Sequence, residues 1–496
     1  AGRAAVVLGL LLLVLALIGG GIFAAYRVLA PRAASFIERL LAWSHRHPVL
    51  GRISESLIDP RRRESGSLAQ LALALAFAGW SFFTLLLLVG GGGEPLRMDL
   101  ALHELMFALR NPLADAPMAM AASIGDWPVL GAGVAVVFAW LAWRRRWIAA
   151  WHWLAAPGFG LLLVAALGFG LDVPRPPAAL NTPGFGFPSA PVTLSVVVFG
   201  FFAVLVAREL PGRRRAWPYV VAGVLVGLVG FARIYLGAHW LSDVLAGVLL
   251  GVVFITGLGL AYRRRILRSF WARPLSLTFF ATVLLVAGWH APRVAPDVLA
   301  RFEPPLLSGQ MSRDEWWSDG WQRLPSHRDE RPGTRSWALN IEYAGDLDDL
   351  RERLEAGGWQ VQAQAGWMEL LEVLAANASP DDQAILPAAH QGRAESLLLS
   401  APGQDEGHRY ALRLWRSGYA LAPGETPLYV GVVQSLRFTQ RFNLVSFWET
   451  VPVEEAEARA HLRAQLEGLP MREGARDPGG PVVLRVDGDP EHAHTP

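Results

Sequence analysis

Residues 219–262 read YVVAGVLVGLVGFARIYLGAHWLSDVLAGVLLGVVFITGLGLAY. Two apolar runs, 219–236 and 242–262, are separated by five residues, enough for a tight reversal and little else. Each run approaches the roughly 18–20 residues that a helix needs to cross a bilayer. Arg213–Arg215 precede the first run and Arg263–Arg265 follow the second, while the turn between them carries no such cluster. A membrane hairpin with both chain ends on the cytoplasmic side is the simplest reading of that pattern.

Working outward, further apolar runs fall near 4–29, 68–89, 117–143, 149–171 and 191–207, with a shorter one at 275–290. The first reads as a true span rather than a signal peptide, because Arg27, Arg32 and Arg39 follow where cleavage would be expected. After it, Phe36, Leu40, Leu41 and Trp43 recur at amphipathic spacing, which predicts a helix lying at the interface. Two more arginine triplets, Arg61–Arg63 and Arg144–Arg146, fall on the same side as the first two when each run crosses once. Loops 90–116, 172–190 and 237–241 then face outward, together with everything after the last span.

The 496 residues are 52% hydrophobic, and the net charge of +2 conceals an asymmetry. Residues 1–292 hold 25 Arg against 12 acidic residues, and the remainder holds 20 against 31. A basic membrane part therefore joins an acidic soluble part. The basic residues sit in short clusters between apolar runs, which disfavours nucleic acid as a partner. Cysteine is absent, which excludes disulfides, thiolate nucleophiles and Cys-ligated metals. His327, His390 and His408 show no metal-ligand spacing and read as structural, and no cofactor is called for.

From about residue 300 helical and strand periods alternate. Ser336–Tyr343, Leu397–Ser400, Tyr410–Trp415 and Leu428–Gln434 read as strands, and Asp346–Ala356 and Val453–Leu466 as helices. The stretch from Gly474 onward reads as a loose, Pro/Gly/His-rich end. The predicted fold is thus a membrane all-α helical bundle, a six-span core plus flanking spans, with a C-terminal soluble α+β domain. The expected divisions are 1–67, 68–270, 271–299 (exit span and linker) and 300–496.

Within the opening stretch, Arg233, His239 and Asp243 meet at the junction of two spans. Spacing of four puts His239 and Asp243 on one helical face, where the carboxylate can fix the ring's tautomer. Arg233 offers a planar fork suited to phosphate oxygens. The bland alternative is an interfacial His with Asp243 capping the helix. A second outer loop carries Pro174-Arg175-Pro176 and then Gly184-Phe-Gly-Phe-Pro188-Ser189-Ala190-Pro191 at the mouth of the next span. A helix start there supplies free N–H groups for an anion.

These segments resemble the type-2 phosphatidic acid phosphatase superfamily over roughly residues 68–262. The family's motifs are Lys, six residues, Arg-Pro; then Pro-Ser-Gly-His; then Ser-Arg, five residues, His, three residues, Asp. The resemblance implies His239 as nucleophile, Asp243 as its orienter, Arg175 and Arg233 as the phosphate clamp, and Ser189 as a further phosphate contact. Three positions depart from the pattern. Ala232 replaces the third-motif Ser, Gly168 the first-motif Lys, and Ala190-Pro191 the second-motif Gly-His, which removes the proton donor. His103, on the predicted outer helix 99–110, is a candidate substitute. The region around Trp316-Trp317, Trp321–Pro325 and Leu412–Tyr419 resembles the LssY-type C-terminal domain, and residues 1–67 resemble the tail of a DedA-type membrane domain. The expected activity is hydrolysis of a lipid phosphate or polyprenyl diphosphate at the outer face of a bacterial inner membrane, through a phosphohistidine and without metal. The C-terminal domain is then periplasmic. The alternative is an inactive lipid-phosphate binding module, a pseudo-phosphatase.

The topology is open to a direct test, since the chain has no native thiol. Cysteines placed at Arg214 and Arg264 are expected to resist a membrane-impermeant thiol reagent in intact cells, while Gly184→Cys reacts. Labelling at 214 but not at 184 would invert the orientation.

Overall fold

The computed structural model describes residues 2–44, 65–90, 95–171, 173–180, 182–262, 271–303, 306, 308–328, 337–362, 380, 383–441, 445–451, 454–476 and 480–489. The chain forms two compact units. One comprises 5–106 and 115–302, the other 1–4, 107–114 and 303–496.

The first unit is a helical bundle, as hydrocarbon demands of a backbone that must satisfy its own polar groups. Among the described residues seven helices are long and apolar enough to cross a membrane, and Ala74–Gly90 within the helix Ser65–Gly90 is a shorter apolar stretch. The span Ala190–Glu209 is apolar on all sides and lies at the centre of the bundle. Its Phe202 stacks on Phe279 of the helix Ala272–Arg301, with ring centroids 3.9 Å apart, and Trp153 closes over Phe201 at 5.6 Å. The Trp153 indole N–H donates to the Val134 carbonyl at 2.9 Å, so this buried ring leaves no polar atom unmet. The outer surface of the bundle exposes Phe77, Trp80, Phe169, Leu277, Leu284 and Leu285, as a lipid-facing surface does. Exposed Trp127 and Trp143 stand at the two ends of the helix Trp127–Trp143.

Three expectations change. Residues 30–44 do not form a separate interfacial helix but continue the first span in one helix, Gly2–Ser44. The run 117–143 is interrupted at 124–126, with Pro112–Ser123 before the break and Trp127–Trp143 after it. The exit span and its linker are a single 30-residue helix, Ala272–Arg301. The triplets Arg61–Arg63 and Arg263–Arg265 lie outside the described residues.

The second unit is built on a mixed sheet. Its strands are β1 (Gly309–Ser312), β2 (Ile341–Ala344), β3 (Gln360–Val361), β4 (Ala389–His390), β5 (Arg393–Ala394), β6 (Leu397–Pro402), β7 (His408–Ala422), β8 (Thr426–Arg441), β9 (Val445–Thr450), β10 (Met471–Ala475) and β11 (Val482–Asp487). Among the described residues the order is β10-β11-β2-β8-β7-β6-β3, with β1 added on β7, β9 on β8, and β4–β5 a separate pair. Leu428, Val430 and Val432 point to one apolar layer with Trp316, Trp321 and Trp415. Tyr429 and Val433 point to the other, against Leu350 and Leu354 of the helix Leu347–Ala356 and Leu462 of Glu455–Gln465. Burial on both faces explains why the segment 428–433 of β8 reads as a continuous apolar run. β7 and β8 run well past their expected limits and β6 two residues past, while β2 begins at Ile341, later than expected. Ser336 and Val453 lie outside the described residues. The stretch after Gly474 is not loose at first, because β11 pairs in parallel with β2 and buries Val483, Leu484 and Val486.

In the membrane unit two glycines let the span Leu241–Tyr262 approach Ala190–Glu209 at the level of the candidate site. A Cβ on Gly247 would lie 3.0 Å from the Ser189 carbonyl, and one on Gly251 2.6 Å from Val196 Cβ. This is the close small-residue packing that holds helices together in lipid. Gly251→Ala is therefore expected to destabilise the purified protein by about 1–3 kcal/mol. Gly257→Ala, where a Cβ meets nothing within 4 Å, is expected to be neutral or slightly stabilising. Thermal unfolding in detergent compares the two, and equal midpoints would refute the packing argument.

Candidate functional site

The site is assembled from two loops and the helix starts that follow them. His239 sits in the five-residue turn between Ala216–Tyr235 and Leu241–Tyr262, whose reversal needs a left-handed residue, supplied by Gly237 at φ +68°. The first helical turn after it is capped from two directions. Asp243 Oδ2 accepts from the Trp240 backbone N–H at 2.9 Å. Asp99, on the helix Arg97–Leu109, accepts from the Ser242 N–H at 2.8 Å and its hydroxyl at 2.7 Å. The Trp240 indole N–H donates to the Pro174 carbonyl at 2.9 Å and so ties this turn to the loop carrying Arg175. The Ser189 N–H donates to the Asp243 carbonyl at 3.0 Å, which fixes the third element.

The predicted residues converge. His239 is buried, with Nδ1 3.1 Å from the Gly186 carbonyl and 3.6 Å from Asp243 Oδ2. A carbonyl only accepts, so Nδ1 carries the ring proton and Nε2 is the basic nitrogen. Asp243 thus accepts a hydrogen bond in the first turn of its own helix and places the same oxygen beside the His239 ring. Burial pushes the His239 imidazole below its usual pKa, against the opposing hydrogen bond and charge of Asp243, and Arg233 and Arg175 push the same way as burial. The neutral ring, which is the nucleophilic form, is favoured.

Arg175 curls onto its own loop, its NH2 donating to the Phe185 carbonyl at 2.6 Å and reaching the Pro183 carbonyl at 3.4 Å. Gly186 permits this, since a Cβ there would lie 2.8 Å from the Val173 carbonyl. The loop surrounds a cavity of about 180 Å³ lined by Arg175, Thr182, Phe185 and Gly168 among others. Arg233 NH2 binds Asp126 Oδ1 at 2.8 Å and the Ala122 carbonyl at 3.2 Å. Among the described residues Ser189 Oγ, Arg175 Nε, Arg233 Nε and Asp243 Oδ1 are buried without a hydrogen-bond partner. Three of these four are donors, the set an anion would satisfy.

The departures from the motifs also have physical form. The first-motif Lys position is filled in, because a Cβ on Gly168 would lie 2.2 Å from the Phe185 ring. Pro191 opens the helix Ala190–Ser195. His103 packs edge-on against Trp240, ring centroids 5.3 Å apart, and its Cε1 would lie 3.2 Å from a Cβ on Gly237. Sequence reasoning missed Asp99, Asp126 and His290, whose Nε2 lies 3.3 Å from Asp126 Oδ2. For Asp126 a signal was present: a carboxylate inside an apolar run is a functional candidate by default. Outside the bundle, His408 is buried against Ser435 and Glu454, and His390 against Trp415, as structural residues.

The model of the PAP2 superfamily matches residues 171–267, and that of the LssY C-terminus matches 321–447. The chain is 37% identical over 71 residues to "Phosphatidylglycerophosphatase B" of Bacillus subtilis, a match covering 14% of this chain and 35% of that protein, so about a third of the relative's length is spanned. It is 32% identical over 181 residues to a 22.5 kDa protein of the Klebsiella pneumoniae cps region, covering 34% of this chain and 82% of the relative. A crystal structure of a transmembrane PAP2 type phosphatidylglycerolphosphate phosphatase from Bacillus subtilis is matched at 25% identity and a TM-score of 0.34, over 39% of this chain and 98% of that one. With the motif order, the multi-pass bundle and the C-terminal α+β domain together, the chain belongs to the PAP2 superfamily and carries an LssY C-terminus in the same polypeptide.

Proposed function

We propose that this protein is a phosphatase of lipid phosphates, with a polyprenyl diphosphate as its favoured substrate, acting at the outer face of a bacterial inner membrane. The observation that carries this reading is the set of buried, unpartnered donors, Ser189 Oγ and the Nε–H groups of Arg175 and Arg233, close to a neutral-favouring His239. In this mechanism His239 Nε2 attacks phosphorus while the two arginines and Ser189 hold the oxygens. In a diphosphate the bond from the attacked terminal phosphorus to the bridging oxygen breaks, and its electron pair leaves with that oxygen on the polyprenyl monophosphate. Water then attacks the phosphohistidine and releases phosphate. Asp243 offsets the positive charge that the ring acquires. The name of the Bacillus relative supports a lipid phosphate as the substrate class, the preference for a diphosphate rests on Pro191, and the outward position rests on the arginine triplets.

The missing second-motif His shapes specificity. Losing a positioned acid costs about 10²–10⁴ in rate, and the cost is greatest for a basic alkoxide leaving group. A diphosphate loses less, because its departing phosphate is far less basic. A second reading, a binding module without turnover, is favoured by Pro191 together with Phe185 filling the space beside Gly168.

Phosphate release by the purified protein is expected on polyprenyl diphosphate and to be much weaker on phosphatidic acid. Ala190→Gly with Pro191→His is expected to raise the monoester rate more than the diphosphate rate, and His239→Ala to abolish both. Equal parent rates on the two substrates, or activity surviving His239→Ala, would defeat the mechanism; phosphate binding without turnover would leave the binding module.

The burial of His239 has its own consequence for pH. A nucleophilic imidazole must be neutral, and its pKa is lowered, so the acidic limb of kcat/KM on the diphosphate is expected below the ordinary imidazole value of about 6.5. An acidic limb above that value would contradict the assignment.

A further inference from the structure

Asp126 and His290 lie outside the segment 171–267 and belong to none of the three motifs. Asp126 stands at the break in the run 117–143, as the residue that begins the helix Trp127–Trp143. An Asp in that position ordinarily caps its own helix through an N2 or N3 amide. This one makes no such bond. Its carboxylate turns away, with Oδ1 2.8 Å from Arg233 NH2 and Oδ2 3.3 Å from His290 Nε2.

Close packing sets the break where it is. A Cβ on Gly125 would lie 2.9 Å from Val229 Cγ1, 3.3 Å from Ser195 Oγ and 3.4 Å from Pro191 Cβ. The absent side chain thus lets the turn close on the helix start of the second motif, with the Asp126 carboxylate beside Arg233. The guanidinium is gripped at NH2 by Asp126 and the Ala122 carbonyl, and its buried Nε–H is left without a partner among the described residues. A carboxylate held through one oxygen pivots; the ring of His290 at the second oxygen stops the pivot. With Asp126 ionised, Nε2 is the nitrogen that carries the proton and donates.

We propose that Asp126 and His290 are a positioning pair that presents the Nε edge of Arg233 to a bound phosphate group, so that the exit helix Ala272–Arg301 completes the site. This rests on the reading of the site given above, but it predicts an effect on phosphate binding whether or not turnover occurs. His290 acts through Asp126, so its loss alters affinity rather than the bond-breaking step.

The test uses the full chain reconstituted in vesicles, with inorganic phosphate binding at equilibrium and steady-state turnover of polyprenyl diphosphate measured side by side. His290→Leu is expected to weaken phosphate binding and raise KM about tenfold, with kcat changed less than about twofold, as loss of an orienting partner does. His290→Gln, whose amide still donates, is expected to recover most of the loss. The double variant Asp126→Ala with His290→Leu is expected to bind no more weakly than Asp126→Ala alone. Parent-like binding in His290→Leu, additive losses in the double variant, or tighter binding in Asp126→Ala would each overturn the pair. A parent without turnover whose variants keep the predicted binding order would overturn the phosphatase reading alone and uphold the pair.

Discussion

Trp240 donates both of its N–H groups to neighbours: the backbone group to the Asp243 carboxylate, the indole group to the Pro174 carbonyl. Those two bonds join the turn bearing His239 to its own helix and to the loop bearing Arg175. The reason for such economy is burial. Trp240, Ser242 and Asp243 are buried, and an unmet buried polar group costs on the order of a few kcal/mol. The groups therefore satisfy one another, and the bonds that remove the cost also set the geometry. Asp99 extends the rule across the fold, meeting two donors of Ser242 from a helix more than a hundred residues earlier.

Against that background the unpartnered atoms stand out. Ser189 Oγ and the two arginine Nε–H groups are buried in a place where nearly everything else is paired. The two arginines share a design. Each is held at its NH2 end by fixed acceptors, carbonyls for Arg175 and a carboxylate with a carbonyl for Arg233, and each keeps its inner edge open. A guanidinium fixed in this way loses little freedom when an anion arrives, which is the advantage of preorganisation. The filled space beside Gly168 moves in the opposite direction: where the motif would place a cation, an aromatic ring packs against bare backbone.

Much of this was legible beforehand because hydrocarbon imposes a length and a composition that few other constraints imitate. The spans were visible as apolar runs and the connecting loops as their gaps. Arg175, Ser189, Arg233, His239 and Asp243 were visible as motif positions that converge. The soluble strands were recognised by alternation but underestimated, since β7 and β8 continue as a long hairpin into polar residues whose pairing depends on the partner strand rather than on their own pattern. The continuity of Gly2–Ser44 was missed because amphipathic spacing describes a helical face and is silent about whether the helix is new. Asp99 and His290 were illegible for a different reason: each acts on a residue over a hundred positions away, and no local period records such a meeting.

The helix Trp127–Trp143, with an exposed indole at each end, is 17 residues long, or about 25 Å at a rise of 1.5 Å per residue. That is a short ruler. Hydrocarbon layers average about 30 Å, and the helix reaches that length only together with Pro112–Ser123 before the break, as the 32-residue apolar stretch Pro112–Trp143. Asp126 immediately precedes Trp127, and its bond to Arg233 holds the candidate site at the level of that break. The break thereby fixes the depth of the candidate site along the bundle: any slide of Trp127–Trp143 along its own axis carries Asp126 with it, and through Asp126 the Arg233 guanidinium.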